Sequence, residues 1–351
     1  MNIVVLKKHY SYIDVLNILA IFFVLMLHTS QAIFTARVGT SLFLQVRMFQ
    51  GIAIPAVFLF FMISGAMLID YRQRMSTTDF FKRRIKRVLI PFLFWSILWY
   101  FYDIKWSAYP GPISHPHPSV SDFLISFANT NINTIFWFFY VILVLYLVTP
   151  MLSAIAKLKE KDYLFLLVSV YVVINCFILY PLEVFKIQIN NNMINFPLIT
   201  FCYLGYFIAG YLIHSGYFSK KQEDLLIVIG FVMFFIQVLL ISYGKGLNLD
   251  MNSSTGPIVF FYSVGLFTLV KRIMGKINLS SKFSVIFKTM ASTSLGIYII
   301  HPLFIRLFDK FFSVNEMSLL HIYIFPFMVY IVCMMLVLLI KRIPGGKYIF
   351  P

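Results

Sequence analysis

The residues of this chain that could do chemistry stand out because their surroundings are apolar. His28 lies in the run Ile13–Ile33 together with Asp14 and Asn17. At 100° per residue on a helix, Asn17 and His28 fall about 20° apart and Asp14 falls about 40° from His28. The polar groups therefore form one narrow stripe on an otherwise apolar helix. In a membrane such a stripe faces a bundle interior or a water-filled cavity, because lipid cannot solvate it. For a single polar residue the plain reading is hydrogen-bonded glue between helices. An aligned imidazole, which exchanges protons near neutral pH, points instead to function. Asp14 sits at the start of the run, and His28 is ~21 Å further along the axis, past the middle of a ~30 Å hydrocarbon core.

A second group is basic. In Lys82-Arg83-Arg84-Ile85-Lys86-Arg87, five of six positions are cationic, and the run leads directly into an apolar stretch beyond Pro91. Its simplest reading is a topology signal that also touches anionic lipid. Its functional reading is a phosphate clamp. Arg84 and Arg87 are spaced i, i+3 and so share a face on an α-helix, and paired guanidiniums suit phosphate. A third group is Tyr298-Ile299-Ile300-His301-Pro302. His301 either lines the same cavity as His28 or bonds a carbonyl freed by Pro302. Trp137-Phe138-Phe139-Tyr140 reads as an aromatic belt at a membrane interface. His115 and His117 have no carboxylate near them in the sequence, and no metal is assigned. There is no G-x-S-x-G, P-loop or H-E-x-x-H pattern, so a serine-hydrolase nucleophile is unsupported.

The elements that must position these groups follow from composition. Charged residues make up 12% of the 351 residues, against about 25% in soluble domains, and hydrophobic residues make up 60%. A soluble enzyme could not hide that much apolar surface. Long polar tracts are absent, which excludes disorder. Cys176, Cys202 and Cys333 each sit in an apolar run, so neither a disulfide framework nor a zinc site is indicated.

Ten segments are apolar enough to span: Ile13–Ile33, Gly51–Ile69, Val88–Tyr102, Thr134–Ala156, Tyr163–Tyr180, Phe196–His214, Leu225–Tyr243, Gly256–Val270, Thr289–Phe308 and Leu319–Ile340. The third and eighth are short and are expected to begin inside their flanking loops. With the N-terminus cytosolic, the inner segments hold 22 of the 29 Lys and Arg residues and the outer segments hold 7. The asymmetry supports both the count and the orientation. It also accounts for the net charge of +16 without nucleic acid as a partner. The expected fold is an all-α polytopic membrane helix bundle of about ten transmembrane helices with both termini cytosolic. Residues 1–351 read as a single integral-membrane domain with no fused soluble domain, in contact with membrane lipids.

Several of these pieces together resemble the integral-membrane acyltransferases of family 3. They are Tyr12-Ile13-Asp14 with His28, Phe61-Met62-Ile63-Ser64-Gly65, Arg84-x-x-Arg87 ahead of Pro91, Trp137-Phe138-Phe139-Tyr140 with Tyr146 and Thr149-Pro150, and Gly296-Ile297-Tyr298-Ile299-Ile300-His301-Pro302. They occur in family order from residue 12 to residue 302. One departure is plain: the family usually has a basic residue, most often Arg, where this chain has Asn17.

The resemblance implies a ten-helix bundle in the cell membrane. It implies an acyl-CoA donor, acetyl-CoA first and succinyl-CoA as the alternative, on the cytosolic side. The acceptor is a hydroxyl of a cell-surface or lipid-linked glycan such as an exopolysaccharide. His28 matches the catalytic His, as general base or as acyl relay, with Asp14 on the same stripe as its catalytic companion, and Arg84 and Arg87, with Arg83 adjoining, match the motif that would hold the CoA phosphates. Asn17, Tyr298 and His301 are the expected channel residues, and no permanently bound cofactor is implied. Two other classes fit the same stripe and basic run: a flippase of a polyprenyl-linked sugar, which would need no acyl donor, and a non-catalytic sensor.

Overall fold

Apolar side chains cover most faces of the long helices, so what shapes the bundle is where small residues, caps and breaks fall. The computed structural model describes residues 9–350 apart from 35, 107–109, 159, 188–202, 244–255, 313–314 and 316. Lys7, Lys8 and Lys245, the Asn-rich stretch 190–192, Cys202 and the first part of the sixth expected span lie outside the described residues.

Helix is the regular secondary structure of the described residues, which contain no strand. In chain order the helices are α1 (Ser11–Thr29), α2 (Ser41–Ala53), α3 (Ala56–Leu68), α4 (Thr77–Arg84), α5 (Ile90–Trp106), α6 (Val120–Ala128), α7 (Trp137–Lys157), α8 (Lys161–Val172) and α9 (Tyr180–Val184). They continue with α10 (Leu204–His214), α11 (Lys220–Tyr243), α12 (Pro257–Lys276), α13 (Ser281–Ala291), α14 (Ser294–Phe312), α15 (Leu319–Tyr323), α16 (Phe325–Ile340) and α17 (Gly346–Ile349). Two wider π-helical turns, Ile85–Leu89 and Val173–Leu179, join α4 to α5 and α8 to α9.

Among the described residues, seven helical runs are long and apolar enough to cross a membrane, or eight if the bent pair α13–α14 counts as one span. The ten expected spans also include α10 and α16, which are apolar but shorter. The third and eighth expected spans do begin in their flanks, as the runs Thr77–Trp106 and Pro257–Lys276. In the first of these, Ser76 accepts a hydrogen bond from the Asp79 N–H and caps the helix at its start. Lys and Arg continue it well, so the helix does not stop where the hydropathy does. The ninth expected span is divided: α13 is an exposed amphipathic helix, and a 52° bend separates it from α14.

α1 is the axis of the bundle. It packs against α3, α12, α13, α14 and α16, and Leu16, Ala20, Ile21 and Leu25 are fully buried on it. α3 and α10 approach backbone to backbone. A Cβ on Gly65 would fall 1.7 Å from the Phe207 carbonyl oxygen, and one on Gly210 would fall 2.1 Å from that of Met62. This is the small-residue contact by which membrane helices gain packing without a hydrophobic driving force. Gly65 thereby brings Ser64, on the next turn position, against the interior described below.

The aromatic segment Trp137–Tyr140 is not a belt facing lipid. Phe138 and Phe139 are buried at 6% and 0% exposure, Phe139 stacks on Phe92, and Trp137 meets Phe61 and Tyr203. The reason is that Phe61 of α3, Phe92 of α5 and Tyr298 of α14 pack against them, while α6 covers Tyr140, whose hydroxyl donates to Phe127 O.

That cover is tied down by groups that are far apart in sequence. His115 Nδ1 lies 2.8 Å from Asp122 Oδ2, and its Nε2 lies 3.4 Å from Asp103 Oδ2. The Tyr100 hydroxyl donates to Asp122 at 2.6 Å. This hydrogen bond and that of His115 hold the Asp122 carboxyl below the usual carboxylate range. His115 thus has two carboxylate partners that the local sequence around it did not suggest.

Candidate active site

His28 is on the last turn of α1, where carbonyl groups run out of intrahelical partners. The Thr29 hydroxyl donates back to Leu25 O at 2.9 Å and the Ser30 hydroxyl to Met26 O at 2.7 Å. Gln50 of α2 donates to Ser30 O at 3.2 Å, and His321 of α15 bonds Thr29 O at 2.9 Å. The end of α1 is therefore fixed from two neighbouring elements, and the half-buried His28 ring is presented at a defined place.

The His301 ring lies beside it, with the two ring centroids 4.9 Å apart. Pro302 cannot donate to the carbonyl four residues back, which is that of Tyr298. His301 Nδ1 takes over, 2.8 Å from Tyr298 O and 3.2 Å from Ile297 O. A carbonyl only accepts, so Nδ1 carries the hydrogen and Nε2 keeps its lone pair. That Nε2 is buried and has no hydrogen-bond partner among the described residues. The ring thus bonds the carbonyl freed by the proline, and it stands beside the His28 ring.

On the other side of Tyr298 is a cavity of about 270 Å³. α1 supplies Asn17 to it, α3 supplies Phe60, Ile63 and Ser64, α7 supplies Phe138, Ile142 and Tyr146, and the α13–α14 bend supplies Ser292 and Ser294. Tyr298 also lines it. Its ring is 5.9 Å from that of His301, and its hydroxyl donates to Ile135 O at 2.6 Å. The cavity walls are mainly apolar with a few polar groups, as a site for a long amphipathic arm requires.

Cationic side chains stand against two of the cavity's lining residues, Tyr146 and Ser292, and mark the side read as its mouth. The Arg84 guanidinium carbon lies 5.5 Å from the Tyr146 ring centroid and 5.8 Å from that of Phe80, and its Nε is buried without a hydrogen-bond partner. The i, i+3 spacing puts both on one face of an α-helix, but the π turn Ile85–Leu89 intervenes, and Arg87 is exposed where Arg84 is half-buried. Neither Arg84 nor Arg87 forms an ion pair among the described residues. Lys341 Nζ, from the end of α16, donates to Ser292 O at the cavity wall at 2.7 Å. Burial, then the nearby Arg87 charge, lowers the Lys341 ammonium below its ordinary range. Nothing in the local sequence singles out Lys341 as a site residue, because it is one among many basic residues near helix ends.

The remaining expected residues lie apart. Asp14 is 2.7 Å from His9 and ~21 Å along α1 from His28, so the shared stripe does not bring the two together. Arg83 is exposed. Asn17 lines the cavity while its Nδ2 donates to Ile13 O at 2.9 Å.

A family model described as an acyltransferase domain matches residues 10–340, nearly the whole chain. The chain belongs to acyltransferase family 3. Searches of curated proteins and of solved structures gave no match. As a family 3 member with multiple apolar helices it is a membrane acyltransferase. Its matched region includes the α1 histidine, Arg84 and Arg87, the aromatic wall of α7 and the proline-broken α14, and it stops one residue before Lys341.

Proposed function

We propose that this acyltransferase takes an acyl group, acetyl in the first instance, from acyl-CoA at the basic mouth and passes it to a hydroxyl of a glycan reached from the opposite side of the cell membrane. The observation that carries this reading is the cavity itself. Of its lining residues, Tyr146 lies under the Arg84 guanidinium and Ser292 accepts from Lys341, while Tyr298 lies beside the His301 ring, which in turn neighbours that of His28. A ligand with an anionic head and a long arm fits that order of groups. Arg84 and Arg87 would hold the phosphates, and the arm would lie against Phe138 and Tyr298.

At the far end His28 acts as the base. It removes the acceptor hydroxyl proton, the oxygen attacks the thioester carbon, the C–O bond forms and the C–S bond breaks. The CoA sulfur leaves as thiolate and takes up a proton. His301, with a lone pair on Nε2, supports the polar end of the site without holding a proton there. With the basic mouth cytosolic, donor and acceptor approach from opposite sides.

The test is sidedness. Sealed membrane vesicles of each orientation, from cells that produce the protein, are given acetyl-CoA labelled in the acetyl group. Label should enter the membrane glycan only when the donor is on the cytosolic face, with free CoA appearing in equal amount. Glycan translocation with no CoA release would identify a transporter instead.

A further inference from the structure

Two cavities that the proposed chemistry does not use adjoin at the basic end of the bundle. One, of about 720 Å³, is polar, and Asp70, Gln73, Lys161, Asp162, His214 and Tyr217 help to line it. The other, of about 320 Å³, is a groove between α8, α10, α11 and α12. Its lining is apolar except for Ser169 and includes Phe165, Ile213, Phe218, Leu226 and Val264. The two follow one another along the chain. Ile213 and Phe218 line the groove where their neighbours His214 and Tyr217 line the polar cavity. On α8, Phe165 lies one turn beyond Lys161 and on the same face. The Phe165 and Tyr217 rings stack at 5.6 Å across the junction.

Phe165 and Val173, both lining the groove, are exposed, so it is open to the bilayer. From Lys161 to Val173 the chain rises ~18 Å, close to half of a ~30 Å hydrocarbon core plus the edge of a head group. An apolar groove one leaflet deep, next to a polar cavity, has the outline of a phospholipid. The charges in the polar cavity select its head. Lys161 Nζ donates to Ser215 O at 3.2 Å and has hydrogens left to donate. Asp162 Oδ1 accepts from the Tyr217 hydroxyl at 2.7 Å and has lone pairs left to accept. Neither forms an ion pair among the described residues, whereas Asp70 is paired with Arg74. A cation and an anion on adjacent residues suit a head that carries both charges.

We propose that the joined cavities bind one phospholipid from the leaflet on the basic face, with a zwitterionic head that bears a primary ammonium, as in phosphatidylethanolamine. Its phosphate accepts from Lys161, its ammonium donates to Asp162, and one acyl chain lies in the groove. The chain rests on α10, which packs against α3 through Gly210 and Gly65, so the lipid braces the helix pair from outside.

The test is native mass spectrometry of the purified, delipidated full chain. It is titrated separately with phosphatidylethanolamine, phosphatidylcholine and phosphatidylglycerol of identical acyl chains. The parent should retain one phosphatidylethanolamine with roughly three- to tenfold preference over the other two, since choline has no N–H to give and glycerol no positive charge. Asp162→Asn should erase that preference. Lys161→Ala should weaken retention of all three, and so should Ser169→Trp, which fills the groove from its half-exposed side. Each variant is checked for monodispersity. Phosphatidylglycerol or phosphatidylcholine retained as well as phosphatidylethanolamine by the parent overturns the inference, the former leaving only a general attraction of basic residues for anionic lipid. An undiminished preference in Asp162→Asn overturns it as well, as does unchanged retention in folded Ser169→Trp.

Discussion

Replacing His28 by Gln should stop acyl transfer, lowering the rate by about 10²–10⁴. The protein should still insert and still bind acyl-CoA. Gln keeps the size of the side chain and some hydrogen bonding, but it has no basicity near neutral pH. The end of α1 is also held by groups other than the ring. Thr29 and Ser30 bond back to Leu25 and Met26, and Gln50 and His321 hold the terminal carbonyls from outside. The substitution thus separates a base from a strut. Incorporation of labelled acetyl into membrane glycan gives the first readout and binding of acetyl-CoA to purified protein gives the second. Normal incorporation in His28→Gln would remove this residue from catalysis.

Arg84→Ala should weaken acetyl-CoA binding by about 1.5–3 kcal/mol, roughly 10- to 150-fold, through loss of a charge-assisted phosphate contact. The stability cost should be small. Arg84 gives up no ion pair, and its contacts with Phe80 and Tyr146 are cation–π contacts worth about 0.5–1 kcal/mol near a surface. Lys at this position should rescue only in part, because a point charge replaces a planar fork. Arg87 is exposed, so its removal should cost less and be more readily masked by salt. Isothermal titration of acetyl-CoA at two salt concentrations checks the ranking. Equal affinity in the parent, Arg84→Ala and Arg87→Ala would reduce the basic run to a topology signal.

The membrane class and the helical architecture were legible because they depend on local hydropathy. The polar stripe of α1 was legible because helical periodicity is local too. Periodicity gives an angle around the helix but says nothing of what lies opposite, which is why Asp14 shared the stripe of His28 and yet pairs with His9. The i, i+3 rule for Arg84 and Arg87 assumed an α-helix, and a single π turn altered it.

The groups that remained hidden are those brought in by packing. Lys341 reaches Ser292, and His321 reaches Thr29 across 292 positions. His115 meets Asp103 and Asp122 only because α6 folds back over α5 and α7. A signal for His301 did exist: a histidine directly before a proline in an apolar run stands where the freed carbonyl needs a donor.

The most direct test of the central claim is a density map of the protein with acetyl-CoA bound. The nucleotide phosphates should lie at Arg84 and Arg87 near Lys341. The arm should fill the cavity between Asn17, Tyr146 and Ser292, with Tyr298 moved aside and the thioester within reach of His28. A map that places the phosphates away from Arg84, or leaves the cavity empty while the nucleotide is held elsewhere, would contradict it.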